Sequence, residues 1–115
     1  MTPVLSLETS RRLYELLGEV ETEQYWIKPS SAQTYFLASK QNMGTRDQST
    51  LEGVYPAPSF GELIRLLPAL GEKLGWSSHE IQDKHLSIVA VQYMVAPTPQ
   101  EGMEKVEAYL EKLLV

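Results

Sequence analysis

The stretch Tyr55-Pro56-Ala57-Pro58-Ser59-Phe60-Gly61-Glu62-Leu63-Ile64-Arg65-Leu66-Leu67-Pro68 carries the strongest local instructions in the chain. Ser59 and Glu62 make a capping box, in which the serine oxygen accepts from the amide of residue 62 and the glutamate accepts from the amide of residue 59. A helix therefore begins here. Pro56 and Pro58 hold the entering chain extended, and Pro58 is spaced to staple against Leu63. Phe60, Leu63, Leu67, Leu70 and Leu74 recur at three and four residues and form one apolar stripe. Pro68 lacks the amide that would bond the carbonyl of Ile64, which predicts a kink or an end near Leu67, with a restart through Leu70 and Leu74.

Two further helices flank this one in the sequence. Ser6 reads as the N-cap of a helix ending at Gly18, with Leu13, Leu16, Leu17 and Val20 on its apolar face. Thr98, Pro99 and Glu101 open a last helix that reaches Leu114, with Met103, Val106, Leu110 and Leu113 facing the core. The segments 24–28 and 34–39 are rich in aromatic and β-branched residues, and Pro29-Ser30-Ser31-Ala32 separates them as a turn, so a β-hairpin is expected. Gly75 to Ile81 reads as a short strand, Gln82-Asp83-Lys84 as a turn, and Leu86 to Met94 as a central strand, because Ile88 to Val91 is apolar on both faces. Residues 40–53 are polar and read as one long, mobile loop. These readings predict one α+β domain over residues 1–115, with a three- or four-stranded, mostly antiparallel sheet onto which about three helices pack.

With 115 residues, the chain is long enough to bury roughly 65% of its unfolded surface around one core. A net charge of −5 with scattered basic residues opposes a phosphate backbone, so nucleic acid is not expected as a partner. No apolar run is long enough to span a bilayer and the first residues lack a signal-peptide pattern, which predicts a cytoplasmic protein without membrane association. The absence of cysteine removes disulfides, thiolate nucleophiles and zinc–thiolate sites.

Chemistry is sparse. His79, Asp83 and His85, with Glu80, lie within seven residues and are the candidate metal ligands. The zincin pattern, however, needs histidines four apart on a helix, and these are six apart. Glu19, Glu21 and Glu23 read as a solvated acidic turn, and no serine has an elbow or a base. No catalytic residue, cofactor or metal site is expected, and the enzyme classes are disfavoured. Trp26 and Phe36, by alternation within their strands, fall opposite Tyr25 and Tyr35 and predict aromatic surface on a second sheet face that the helices leave uncovered. That face predicts a homodimer or another protein partner, and hence a non-enzymatic interaction module. The alternatives are a small-ligand or metal-binding protein using residues 79–85 and the aromatics, and a self-associating structural protein.

From Tyr55 to Pro68 the chain resembles small uncharacterised bacterial proteins, often encoded near prophage genes. These carry a Tyr-x-Ala-Pro-Thr/Ser lead into a Glu-Leu-Leu helix ending Leu-Pro. Leu16-Leu17-Gly18 followed by Thr22-Glu23-Gln24-Tyr25-Trp26, and the helix opened by Thr98-Pro99, are similar to the same group's first helix and strand and its last helix. The resemblance covers most of the chain, departs from the group at the polar segment 40–53 and the charged residues 80–85, and implies no activity or catalytic residue.

Overall fold

Ser6 opens the first helix in the computed structural model, which describes residues 2–41 and 51–114. Its hydroxyl accepts from the amide of Thr9 at 3.4 Å, and α1 (Leu7–Leu17) ends at Gly18, whose φ of 72° is one that a side chain would strain. The expected hairpin follows as β1 (Gln24–Pro29) and β2 (Phe36–Ser39), antiparallel, with Tyr25 opposite Ala38, Trp26 opposite Leu37 and Ile27 opposite Phe36. A third strand, β3 (Leu51–Pro56), pairs antiparallel with the other edge of β1, giving the order β2-β1-β3. Then come α2 (Phe60–Leu74), α3 (residues 78–94) and α4 (Pro99–Leu113). The fold is α+β: a three-stranded antiparallel sheet packed by four helices among the described residues. None of these helices is long and apolar enough to cross a membrane.

Four sequence expectations are corrected. The polar loop ends earlier than residue 53, because Leu51 to Gly53 already belong to β3; residues 42–50 of that segment lie outside the described residues. Gly53 lies close against the ring of Tyr35, whose hydroxyl would have to shift to admit a Cβ there. In place of the strands expected at 75–81 and 86–94, one helix runs from residue 78 to 94, and β1 is the central strand. Ser77 and Glu80 form a reciprocal capping box at 3.1 and 3.2 Å, and Ile81, His85 and Val89 are buried at intervals of four. Within this helix, Ile81–His85 forms a wider π turn.

Pro68 does not end α2, which continues to Leu74 and is closed by Gly75 at φ 79°. The proline is exposed on the outer side of the helix, while Leu63, Leu67 and Leu70 on the inner face are fully buried. Finally, the helices do not each pack their stripe onto the sheet. The main core joins helix to helix: Leu13 of α1, Leu63, Leu67 and Leu70 of α2, Val89 of α3, and Met103, Val106 and Leu110 of α4, with Leu5 of the N-terminal arm. The sheet has a smaller cluster of its own, Ile27 and Ala38, flanked by Tyr25, Leu51 and Val54.

At the caps, Glu62 does more than its box requires. One carboxylate oxygen accepts from the amide of Ser59 at 3.0 Å, and the other accepts from the amide of Glu23 at 2.8 Å, joining the start of α2 to the approach of β1. Thr98 accepts from the amide of Glu101 at 3.2 Å, the half of the last box that starts α4.

Two substitutions probe this arrangement. Leu67→Ala, at the centre of the helical core, is expected to cost about 2–5 kcal/mol in denaturant unfolding; an unmoved midpoint would remove the central role of α2. Gly102→Ala exchanges glycine for the best helix former, worth a gain of about 1 kcal/mol in an open helix. Here the new methyl would sit 2.8 Å from the ring of Tyr93 and 3.0 Å from its carbonyl oxygen, and that ring is stacked on Phe60 at 3.9 Å. A net loss of stability is expected, and a gain in melting temperature would show that α3 and α4 can move apart freely.

Candidate functional site

A groove of about 440 Å³ lies between the N-terminal arm, the sheet and α4, and Trp26 is one of its lining residues. Its position follows from how the arm is held. Val4 bridges to Ser59, the Leu5 amide donates to the carbonyl of Pro58 at 3.0 Å, and Gln24 donates its side-chain amide to the carbonyl of Thr2 at 3.2 Å. The amide of Ser6 donates to Glu107 of α4 at 2.6 Å. Thr2, Pro3, Val4 and Ser6 thus form one wall, Trp26 and Leu37 of the sheet a second, and Gln100, Met103, Glu104 and Glu107 a third. Cross-strand pairing puts Trp26 and Leu37 on one sheet face, which is why both reach the groove.

Most of the polar groups are already engaged. The Trp26 indole N–H donates to the carbonyl of Leu5 at 3.0 Å, and one oxygen of Glu107 holds Ser6. Met103 is buried and contributes only apolar surface. Glu104 is exposed at the edge and forms no ion pair among the described residues. The groove therefore offers apolar walls, an aromatic ring and a carboxylate at its rim. It offers no nucleophile with a base, nor two titratable groups set against each other.

The two aromatics expected to share a surface are separated. Trp26 lies opposite Leu37, and Phe36 lies opposite Ile27, so they point to different sides of the sheet. Phe36 is the exposed member, at 38%. On its face Ile27 is fully buried and Ala38 nearly so, which means that this part of the second face is not left open as expected.

The metal candidates also part. His79 is exposed and pairs with Asp83, Nδ1 to Oδ2 at 2.9 Å, one helical turn away. His85 is buried: its ring stacks on Trp76 at 3.7 Å, and its Nδ1 lies 2.7 Å from the hydroxyl of Tyr109. Among the described residues no three His, Cys, Asp or Glu side chains converge as a metal site would need. Added zinc is accordingly expected to leave the melting temperature unchanged, since a ligand of the native state must raise it by mass action.

His85 is the functional-looking residue whose setting the sequence did not disclose. Burial lowers its pKa, with Lys84 acting in the same direction and Glu80 against it, while burial raises that of Tyr109. The phenol therefore keeps its proton and the imidazole is neutral at neutral pH, and the two groups share one hydrogen bond. Stacked on Trp76 and bonded to Tyr109, this imidazole packs the junction of α3 and α4. Arg11, partly buried, is also held by aromatic rings. Arg11 lies over the rings of Tyr55 and Tyr35, 5.3 and 5.7 Å from their centroids, a cation–π contact in place of a carboxylate.

No protein family, no curated protein and no solved structure matches this chain. The functional reading therefore rests on its own residues.

The lowered pKa of His85 has a stability consequence with a definite sign. The folded state holds fewer protons than the unfolded state once the pH falls below the ordinary histidine range near 6.5, so stability is lost from there down to the folded pKa and levels off below it. The melting temperature is expected to drop between pH 7.5 and 5.5, and His85→Gln, which keeps a partner for Tyr109 without titrating, is expected to flatten that slope. Equal slopes in the two proteins would show that His85 does not titrate on unfolding.

Proposed function

We propose that the chain is a non-enzymatic interaction module, and that the groove beneath its N-terminal arm receives an extended segment of a partner protein. The observation that carries this reading is the division of labour inside the groove. Its indole N–H and one Glu107 oxygen are occupied in holding the arm, which leaves Trp26, Leu37 and Met103 as apolar walls and Glu104 as a free rim charge. A small polar metabolite would need several free, convergent hydrogen-bonding groups deep in the site. A partner side chain entering from solvent needs an apolar slot with a polar edge, the arrangement typical of interaction hot spots. The acidic rim favours a segment in which a basic residue neighbours the inserted apolar one.

On this reading the module works in a reducing compartment such as the cytoplasm, in line with its lack of cysteine. The resemblance to prophage-linked proteins directs the search for the partner to products of neighbouring genes.

Selection from a random displayed peptide library, followed by fluorescence anisotropy with the enriched peptides, tests the proposal. Enriched sequences are expected to pair a bulky apolar residue with Lys or Arg. Leu37→Arg is expected to weaken them tenfold or more, about 1.4 kcal/mol, with the melting curve unchanged. Peptides that bind equally well to Leu37→Arg, or a selection that enriches nothing, would sink the groove as the binding site.

A further inference from the structure

We propose that the outer face of the C-terminal half of α3 is a contact surface for a second copy of the same chain. From Leu86 to Gln100 the sequence carries no charged residue, although the chain as a whole has a net charge of −5. The inner side of this segment is committed: Val89 is fully buried, and the ring of Tyr93 stacks on Phe60. The other side is left in solvent. Val91 is 55% exposed, Met94 77% and Val95 63%, and their spacing of three and four sets them along one strip of the helix surface. The C-terminal half of α3 thus carries apolar side chains on its outer side as well as on its buried inner side.

Charge selects the occupant. Elsewhere the surface carries dispersed carboxylates, Glu8 and Glu15 on α1 and Glu101, Glu104 and Glu111 on α4 among them, so two copies brought together at random would oppose like charges. At the 86–100 segment neither copy presents any, and the repulsion between two acidic chains is least there. A partner of opposite charge would be drawn to the carboxylates and gain nothing from this strip. Twofold symmetry then makes the strip sufficient by itself, since one self-complementary patch serves both copies. Met94 at the centre of such a contact is unbranched and polarizable, and adapts to its own image across the axis.

Three exposed apolar side chains make a contact smaller than a standard interface, so the dimer is a weak one, with a dissociation constant on the order of 10–100 μM. This surface is distinct from the groove, and the test does not depend on the groove having an occupant. Sedimentation equilibrium over a concentration series that brackets this value is expected to show the mass rising from 13.0 kDa toward twice that figure. Met94→Glu and Val91→Glu, both at exposed positions and therefore harmless to folding by circular dichroism, are expected to hold the chain monomeric. The absence of native cysteine supplies a second readout: Met94→Cys should be trapped as a disulfide-linked dimer under mild oxidation, whereas Glu15→Cys, on the exposed side of α1, should not. A chain that is monomeric throughout the series, self-association that survives Met94→Glu, or equal cross-linking at positions 94 and 15 would each overturn the proposal. So would binding of the strip to zwitterionic lipid vesicles without self-association, which would identify a membrane surface as its occupant.

Discussion

The backbone of Leu5 holds the parts of this molecule together. Its amide donates to the carbonyl of Pro58, and its carbonyl accepts from the Trp26 indole at 3.0 Å and the Ser10 hydroxyl at 3.4 Å, using both lone pairs. Its side chain is 1% exposed, in the core that α1, α2, α3 and α4 share. One residue thus binds the N-terminal arm to the sheet, to the first turns of α1 and to the extended lead into α2. Because these groups are removed from water, each must find a partner in the protein, and an unmet one would cost about 1–3 kcal/mol. Satisfying them fixes the course of the arm, and the course of the arm creates the groove.

Helix packing and the groove are therefore one construction. The stripe Leu63, Leu67 and Leu70 drives α2 inward, and Met103 of α4 lies both in the core and at the groove wall. Glu107, about two and a half turns along α4 from its cap Thr98, reaches the amide of Ser6 at the start of α1. The sheet contributes less to burial than a sheet at the centre of an α+β domain would. It offers one face to the arm and to Tyr14 of α1, which meets Tyr55 edge-on at 5.4 Å, and keeps a small cluster around Ile27 on the other. The groove lies on the first of these faces, and the proposed dimer strip belongs to neither.

The α3 helix shows how a local reading can fail while its signal is present. Ser77-Ser78-His79-Glu80 has the spacing of a capping box and forms one, yet the β-branched run Ile88, Val89 and Val91 argues for a strand by propensity. The buried positions Ile81, His85 and Val89 follow a helical interval, but a histidine at the middle one hides the stripe from a count of apolar residues. Only Trp76 above it and Tyr109 beside it make that histidine a core residue. Propensity is a weak prior of a few tenths of a kcal/mol per residue, and burial of Val89 and Ile81 overrides it.

By itself the sequence determined several element ends, because caps and turn residues act over three or four residues. Ser6, Ser59 and Thr98 start helices, Gly18 ends one, and Pro29 to Ala32 turns the hairpin. It also determined the α+β class, through the helical stripes and the aromatic strands. Tertiary structure decided the rest: that Leu51–Pro56 joins β1 as a third strand, that Trp26 and Phe36 separate to opposite faces, and that His85 lies inside while His79 lies outside. The physical reason is range. Strand pairing, the contact of Ser6 with Glu107 and the stacking of Trp76 on His85 join residues that no local period relates, and their free energy exists only once the chain has closed on itself.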